Sequence, residues 1–397
     1  MGPRVARGVV IGLAAGAVLG SALPATAGPG SVALDDASPN PVLHGRTVTV
    51  SGTISPASGG QTVEIVEAGD PASVLGQAIT GAAGAYAAVI TPDANVTVRA
   101  RWVEADLFSP LDQDVTVRVR PRLTAHLRGA RLFARARVTG RIEPAHPGKT
   151  VKVTLFRNGN QVGRRDVSLI GGDTFRAAFQ IPRHGRYRAE VAFDDADHAP
   201  ARERSEARRV RIPGPLGLRS HGLNVLLLER RLRQLHYYLP GANREYDLRT
   251  GDAVLAFHKV QGMERIKSVR RRTWRRLMQP RRPRPRMGKP AFHVEIDQTR
   301  QVLYVIRSGK IDEIVHTSTG AGGATRDGTF RVHRKIAGYS PGRLYYPSYF
   351  DGNRAVHGWP SVPTYPASHG CARVPNWTAI HLHNVMPYGT VVRVYHS

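Results

Sequence analysis

Ala355-Val356-His357-Gly358-Trp359 is followed, after a proline-rich loop, by Ser368-His369-Gly370-Cys371-Ala372-Arg373-Val374, and this stretch holds the one cysteine of the 397-residue chain. A thiol attacks as its thiolate and titrates near about 8.5 when unperturbed, so an imidazole that takes the proton raises the reactive fraction at neutral pH. Two histidines are at hand. His369 stands two residues before Cys371 and His357 fourteen before it, far enough for a loop to fold it back side-on to the thiol, which makes His357 the candidate base. Gly370 permits a tight turn in which the N–H groups of Gly370 and Cys371 converge on a developing oxyanion. If Cys371 to Val374 is extended, Arg373 shares a face with Cys371 and is placed to hold a substrate carboxylate. A single cysteine forms no intramolecular disulfide and no multi-cysteine zinc site; an inert buried thiol, an intermolecular disulfide and a nucleophile stay open on the count alone.

Strands are expected on both sides of this stretch. Phe292–Asp297 and Gln301–Ile306 read as a hairpin, followed by Ile311–Thr317, while Asn376–Val385 reads as a helix. His381 and His383, two apart on that helix, do not face each other and are read as surface or core histidines, not a metal pair. Gly320, Gly322, Gly323 and Gly328 precede no Gly-Lys-Ser/Thr, which excludes a phosphate loop, and no carboxylate pair marks a glycosidase. His357-Gly358 with Ser368-His369-Gly370-Cys371-Ala372-Arg373 resembles the signature of the L,D-transpeptidases, the YkuD-type catalytic domain of bacterial wall synthesis. Ser318-Thr319-Gly320, Asp327-Gly328-Thr329-Phe330, Tyr346-Pro347-Ser348-Tyr349-Phe350-Asp351-Gly352 and Pro387-Tyr388-Gly389-Thr390-Val391-Val392 agree with it. Arg326 stands where that family usually has Pro.

The resemblance implies that Cys371 is the acylated nucleophile, His357 its base, and the Gly358 carbonyl the group that orients the imidazole. It implies an oxyanion hole from the amides of His369, Gly370 and Cys371, with Ser368, His369 and Arg373 supporting the site and binding substrate. Tyr346, Tyr349 and Trp359 either line the cleft or pack. The implied reaction attacks the amide between diaminopimelate and D-alanine of a tetrapeptide stem and passes the acyl group to an amine of a second stem. It implies peptidoglycan stem peptides and glycan strands as partners and neither metal nor organic cofactor. Two alternatives remain at this level: water as acceptor, giving an L,D-carboxypeptidase, and an inactive wall-binding protein.

Upstream, residues 280–290 alternate Arg with Pro and read as an extended basic linker, either a solvated spacer or a tether to anionic wall polymers. Residues 214–279 turn helical: Leu223, Val225, Leu226, Leu228, Leu232 and Leu235 recur at helical spacing, and a second run goes from Thr250 to His258. Gly222-Leu223-Asn224-Val225, Leu235-His236-Tyr237-Tyr238 and Thr273-Trp274 resemble the three-helix peptidoglycan-binding module, whose members usually carry Gly at His236 and Gln at His258. Residues 28–120 and 121–213 each show short period-two runs, such as Thr47–Gly52 and Lys149–Leu155, between Gly, Pro and Ser clusters. They resemble tandem immunoglobulin-like modules, read as spacers or interaction surfaces. The expectation is a mainly β, multidomain chain: two immunoglobulin-like sandwiches, a small three-helix module, and a β-rich catalytic domain over 291–397.

Arg4 and Arg7, the apolar run Val9–Leu19 and Ala25-Thr26-Ala27 read as a signal peptide over 1–27, with an uncleaved anchor extended through Ala22 and Leu23 as the alternative. Either places the chain outside the cytoplasm, in the cell wall or periplasmic space of a bacterium, and no later run is apolar enough to span a bilayer. The formal net charge of +27 favours anionic partners. Nucleic acid is excluded from the reading, since the basic residues lack interleaved aromatics and the chain is read as exported.

Overall fold

The computed structural model describes residues 30–397, so the expected signal segment lies outside the described residues. The chain is mainly β, with four α-helices among the described residues. It divides into two compact units, one built from most of the residues up to Arg209 and the other from Val210–Ser397 with two short upstream segments.

The first unit is antiparallel β almost throughout. Val48–Ser55 shows why: its residues alternate between buried and outward-facing, so one face of the strand enters a core. It pairs with Ser31–Ser38 and Ala85–Ile90 in one sheet, while Thr62–Glu67 and Val96–Trp102 centre a second. Val32, Val50, Ile54 and Ala88 of one sheet meet Val63, Ile65, Val98 and Ala100 of the other in a shared apolar core, a sandwich. The plan recurs downstream, with Arg135–Glu143 central to one sheet and Thr150–Arg157 and Gly185–Phe193 central to another.

The second unit starts with three helices, α1 (Leu223–Gln234), α2 (Leu248–Val260) and α3 (Arg271–Met278). Asp247 caps α2 by accepting from the Thr250 N–H. His236 has φ 67°, the left-handed conformation a glycine takes at a helix end. The buried ring of His258 bridges the Ile266 carbonyl and the Thr273 hydroxyl, each at 2.9 Å. Both histidines therefore have structural uses inside the helical module.

The helices do not hang on a free linker. The Arg286 and Met287 amides donate to the buried Glu295 carboxylate at 2.8 and 2.7 Å, and Gln261 holds both the N–H and the carbonyl of Arg281. Residues 280–290 are thus held near both ends, because the backbone groups of Arg281, Arg286 and Met287 find side-chain partners that spacing alone does not reveal. Lys259 of α2 is 3% exposed and reaches the carbonyls of Gln301 and Thr317 at 2.9 Å and Nδ1 of His316 at 2.7 Å. Burial holds its amine well below the usual lysine range.

Two sheets follow. β1 (Phe292–Asp297), β2 (Val302–Arg307), β3 (Lys310–His316), β4 (Gly328–Arg331) and, near the C-terminus, β9 (Val391–Tyr395) form one, in the order β3-β2-β1-β9-β4. β5 (Arg334–Lys335), β6 (Tyr345–Asp351), β7 (Arg354–Trp359) and β8 (Ala372–Pro375) form the other, in sequence order. Helix α4 (Asn376–Val385) leaves β8 at Pro375, its N-cap. Val294, Leu303, Val356, Ala372, Val374, Ala379, Leu382 and Val392 join both sheets and α4 in one core.

Candidate active site

β7 and β8 run parallel, with His357 opposite Arg373 and Gly358 opposite Val374. Residues in register on neighbouring strands point to one face, and alternate residues along a strand share it. Ala355, His357, Trp359 and Arg373 therefore occupy one face, and Cys371, one residue before β8, continues its alternation. Val356, Ala372 and Val374 take the other face, toward α4. A Cβ on Gly358 would stand 2.6 Å from Asn376 Oδ1 and 2.9 Å from Ala379 Cβ, so glycine lets α4 sit against β7. One strand spacing and two residues of rise separate His357 from Cys371, a Cα span of about 8 Å that lies within the combined reach of an imidazole and a thiol.

The same face carries the aromatic and the cation. The Arg373 guanidinium lies 4.5 Å from the Trp359 ring centre, and the His357 ring meets Trp359 edge-on at 5.9 Å. His357 is 1% exposed, with Nδ1 2.8 Å from the Gly358 carbonyl. A carbonyl only accepts, so Nδ1 carries the hydrogen and Nε2 keeps its lone pair. Burial pushes the imidazole down to about 4; the Gly358 carbonyl opposes this and the Arg373 charge adds to it. The ring is neutral at physiological pH. Cys371 is half-buried, its Sγ 3.9 Å from the Asn353 carbonyl. Burial pushes its thiol up, against the Ala355 backbone and the charges of Arg373 and Arg354. At neutral pH the thiol and the imidazole on this face are both uncharged.

The turn before the thiol is held by its own side chains. Ser368 Oγ accepts from the Gly370 N–H at 3.1 Å and donates to the Cys371 carbonyl at 2.5 Å. The Gly370 carbonyl accepts from Thr325 Oγ1 at 2.8 Å. Gly370 has φ +130°, and a Cβ there would meet Arg354 Nε at 2.8 Å and the Ala324 carbonyl at 3.0 Å. The Gly370 N–H is thus committed to Ser368, which differs from the expectation that it joins an oxyanion hole: the serine folds back over the turn and takes the donor first.

The remaining expected residues separate. His369 is exposed. Arg373 donates from Nη1 to the Ala367 carbonyl at 3.1 Å, and its backbone pairs with Ser318 on both sides. Of the three aromatics, Trp359 lies in the site. Tyr346 packs edge-on against Tyr345 and against His383 of α4, while Tyr349 is buried beneath the Arg334 guanidinium, 3.8 Å from its ring centre. His381 pairs with Glu313 at 2.8 Å. Sequence reading missed Asp351 and Arg354, which flank the β6–β7 turn three residues apart. Arg354 donates to Asp351 and to the Ala324 carbonyl, each at 2.9 Å, and Arg326 also pairs with Asp351. The Asp351-Gly352-Asn353-Arg354 turn was the available signal, since an acid and a base three apart across a tight turn readily pair.

The chain is similar to proteins already known. Residues 291–394 match the model of the L,D-transpeptidase catalytic domain, YkuD. A solved L,D-transpeptidase from Xylanimonas cellulosilytica is 36% identical, over 46% of this chain and 98% of that one, with a TM-score of 0.44. One from Stackebrandtia nassauensis is 24% identical over 45% of this chain and 97% of that one, TM-score 0.30, and one from Mycobacterium tuberculosis is 20% identical over 27% and 58%, TM-score 0.25. No curated protein matches the chain. Through residues 291–394, the chain belongs to the YkuD family of L,D-transpeptidase catalytic domains.

Proposed function

We propose that this chain is an exported enzyme that cross-links peptidoglycan through an acyl-enzyme on Cys371. The observation that supports it most is the placement of the one thiol, a neutral imidazole and a guanidinium on one face of β7 and β8. In the first half-reaction the Cys371 proton passes to His357 Nε2 as Sγ bonds to the carbonyl carbon between diaminopimelate and D-alanine. The N–H groups of His369 and Cys371 stabilise the oxyanion, and Gly370 shapes the turn that aims them. The imidazolium returns the proton to the leaving amine, the C–N bond breaks, D-alanine departs and a thioester remains. In the second, an amine of another stem loses a proton to His357 and attacks the thioester, and the thiol is restored. Arg373 holds a substrate carboxylate, Trp359 walls the cleft, and the Gly358 carbonyl orients the base where other cysteine enzymes use a carboxylate or amide.

The rest of the chain serves this chemistry at the wall. A signal segment over 1–27 exports it, two immunoglobulin-like modules over 28–120 and 121–213 act as spacers, and the helical module over 214–279 contacts glycan. The basic segment over 280–290 adds attraction to anionic wall polymers. Mass spectrometry of products from disaccharide-tetrapeptide stems tests the reading: a dimer lacking one D-alanine is expected, and none with Cys371→Ala. A monomer lacking D-alanine would reassign the chain as a carboxypeptidase, and unchanged stems with the thiol reduced would leave a binding protein.

A further inference from the structure

In the first unit, far along the sequence from Cys371, three buried side chains turn their ligand atoms toward one point. His146 lies between Arg135–Glu143 and Thr150–Arg157, and Asp195 and His198 follow Gly185–Phe193. His146 Nε2 is 3.2 Å from His198 Nδ1 and 3.7 Å from Asp195 Oδ2, and His198 Nδ1 is 3.3 Å from Asp195 Oδ1. The three side chains are 6%, 3% and 7% exposed.

Hydrogen bonding within the trio leaves the Asp195 carboxylate without a donor. His198 Nε2 lies 3.1 Å from the Asp93 carbonyl, an acceptor only, so Nε2 carries a hydrogen and a neutral ring presents a bare lone pair at Nδ1. That lone pair can accept a hydrogen from His146 Nε2, 3.2 Å away, but it has none to give to Asp195 Oδ1 at 3.3 Å. Asp195 Oδ2, buried and aimed into the same point, has no hydrogen-bond partner. A buried carboxylate oxygen left unpaired is costly, so the arrangement asks for a positive centre among the three.

We propose that His146, Asp195 and His198 bind a zinc ion. Ligand bonds of about 2.1 Å place tetrahedral donors about 3.4 Å apart and octahedral neighbours about 3.0 Å apart. The observed 3.2, 3.3 and 3.7 Å bracket the tetrahedral value. Two imidazoles and one carboxylate suit zinc, and hard oxygen-seeking cations such as calcium want more oxygens than this trio offers. The Asp93 carbonyl fixes the tautomer of His198 as an outer partner of a metal ligand does. Water takes the fourth position. The ion clips the 143–150 and 193–199 connections together, and through Asp93 it ties them to the loop after Ala85–Ile90, where Asn95 N already donates to the Asp197 carbonyl at 2.8 Å. The role proposed for the ion is structural: it stiffens the two sandwiches of the first unit against each other.

The test uses the whole chain carrying Cys371→Ser, which removes the thiol as a rival ligand. After chelation and dialysis, zinc titration with elemental analysis, a thermal melt, and the visible spectrum of the cobalt(II)-loaded protein are recorded. The same is done with Asp195→Asn, His198→Gln and, as control, His381→Gln. One zinc per chain, a zinc-dependent rise in melting temperature and intense tetrahedral cobalt bands are expected, retained in the control and weakened at least about a hundredfold in affinity by either cluster substitution. Absence of zinc uptake or of tetrahedral bands in the parent protein overturns the proposal, and that result does not depend on the variants folding. Uptake undiminished by both cluster substitutions overturns it too, since the ion then sits elsewhere. A parent whose melt ignores zinc but rises as the pH is lowered through the histidine range overturns it in favour of a proton on His198 paired with Asp195.

Discussion

Lowering the pH from 7 to 5 separates the buried base described here from an ordinary histidine. His357 titrates at about 4 because burial penalises its charged form. With that value about nine-tenths of the ring is still neutral at pH 5, whereas a ring at about 6.5 would be neutral in about 3% of molecules. The first half-reaction is therefore expected to lose only about a tenth of its rate over this step, and a solvated base would lose about 25-fold. The assay is single-turnover release of D-alanine from a donor stem, which leaves the acceptor amine and its own titration out of the measurement. The donor's terminal carboxylate titrates near about 3.5 and its free amine stays protonated throughout, so neither mimics the effect. The same depressed value has a stability consequence. The unfolded ring takes up a proton below about 6.5 and the folded one only near 4, so stability from this site is complete above pH 6.5 and declines by about 3 kcal/mol as the pH falls to 4. A rate that collapses between pH 7 and 5 while circular dichroism stays native would refute the argument that burial controls the base.

Gly370→Ala forces a Cβ into Arg354 and the Ala324 carbonyl at positive φ. It should cost about 2–4 kcal/mol in urea unfolding and lower kcat/KM; a variant as stable and active as the parent would mean the turn is not fixed as described. Lys259→Ala leaves the Gln301 and Thr317 carbonyls and His316 Nδ1 without their shared donor, and should destabilise the second unit by about 3 kcal/mol or more, read from denaturant midpoints. Binding to isolated walls should weaken several-fold between about 0.1 and 1 M salt, as the screening length falls from about 10 to 3 Å. Equal binding at both ends of a salt series in a pull-down assay would discount charge as its source.

What the sequence reveals follows the range of the interactions involved. Asn376–Val385 is helical and Phe292–Asp297 pairs with Val302–Arg307 as read from periodicity, because local spacing determines which face is apolar. The site motif is legible for a similar reason: parallel register makes residues fourteen apart into neighbours across two strands. Commitments of single polar groups are not legible. The Gly370 N–H looks free in the sequence but goes to Ser368, and Lys259 looks like one more surface cation but is enclosed by residues 42 to 58 positions away. His146 and His198, 52 apart, give no spacing signal at all.

The choice of a carbonyl instead of a carboxylate to orient His357 has a chemical logic. A carboxylate would stabilise the imidazolium and favour a resting thiolate beside it. The Gly358 carbonyl fixes the tautomer with little charge, and burial then lowers the base and raises the acid, so both rest uncharged. Oxidation of cysteine proceeds through the thiolate, so a resting thiol is protected, which matters for a lone cysteine in the exported setting proposed here. The cost is a proton transfer that must accompany attack. In the proposed reaction substrate binding would reduce that cost: a donor carbonyl over Cys371 would present a developing oxyanion to the amides of His369 and Cys371 and a carboxylate to Arg373, so charge would separate only when there is an acyl group to transfer.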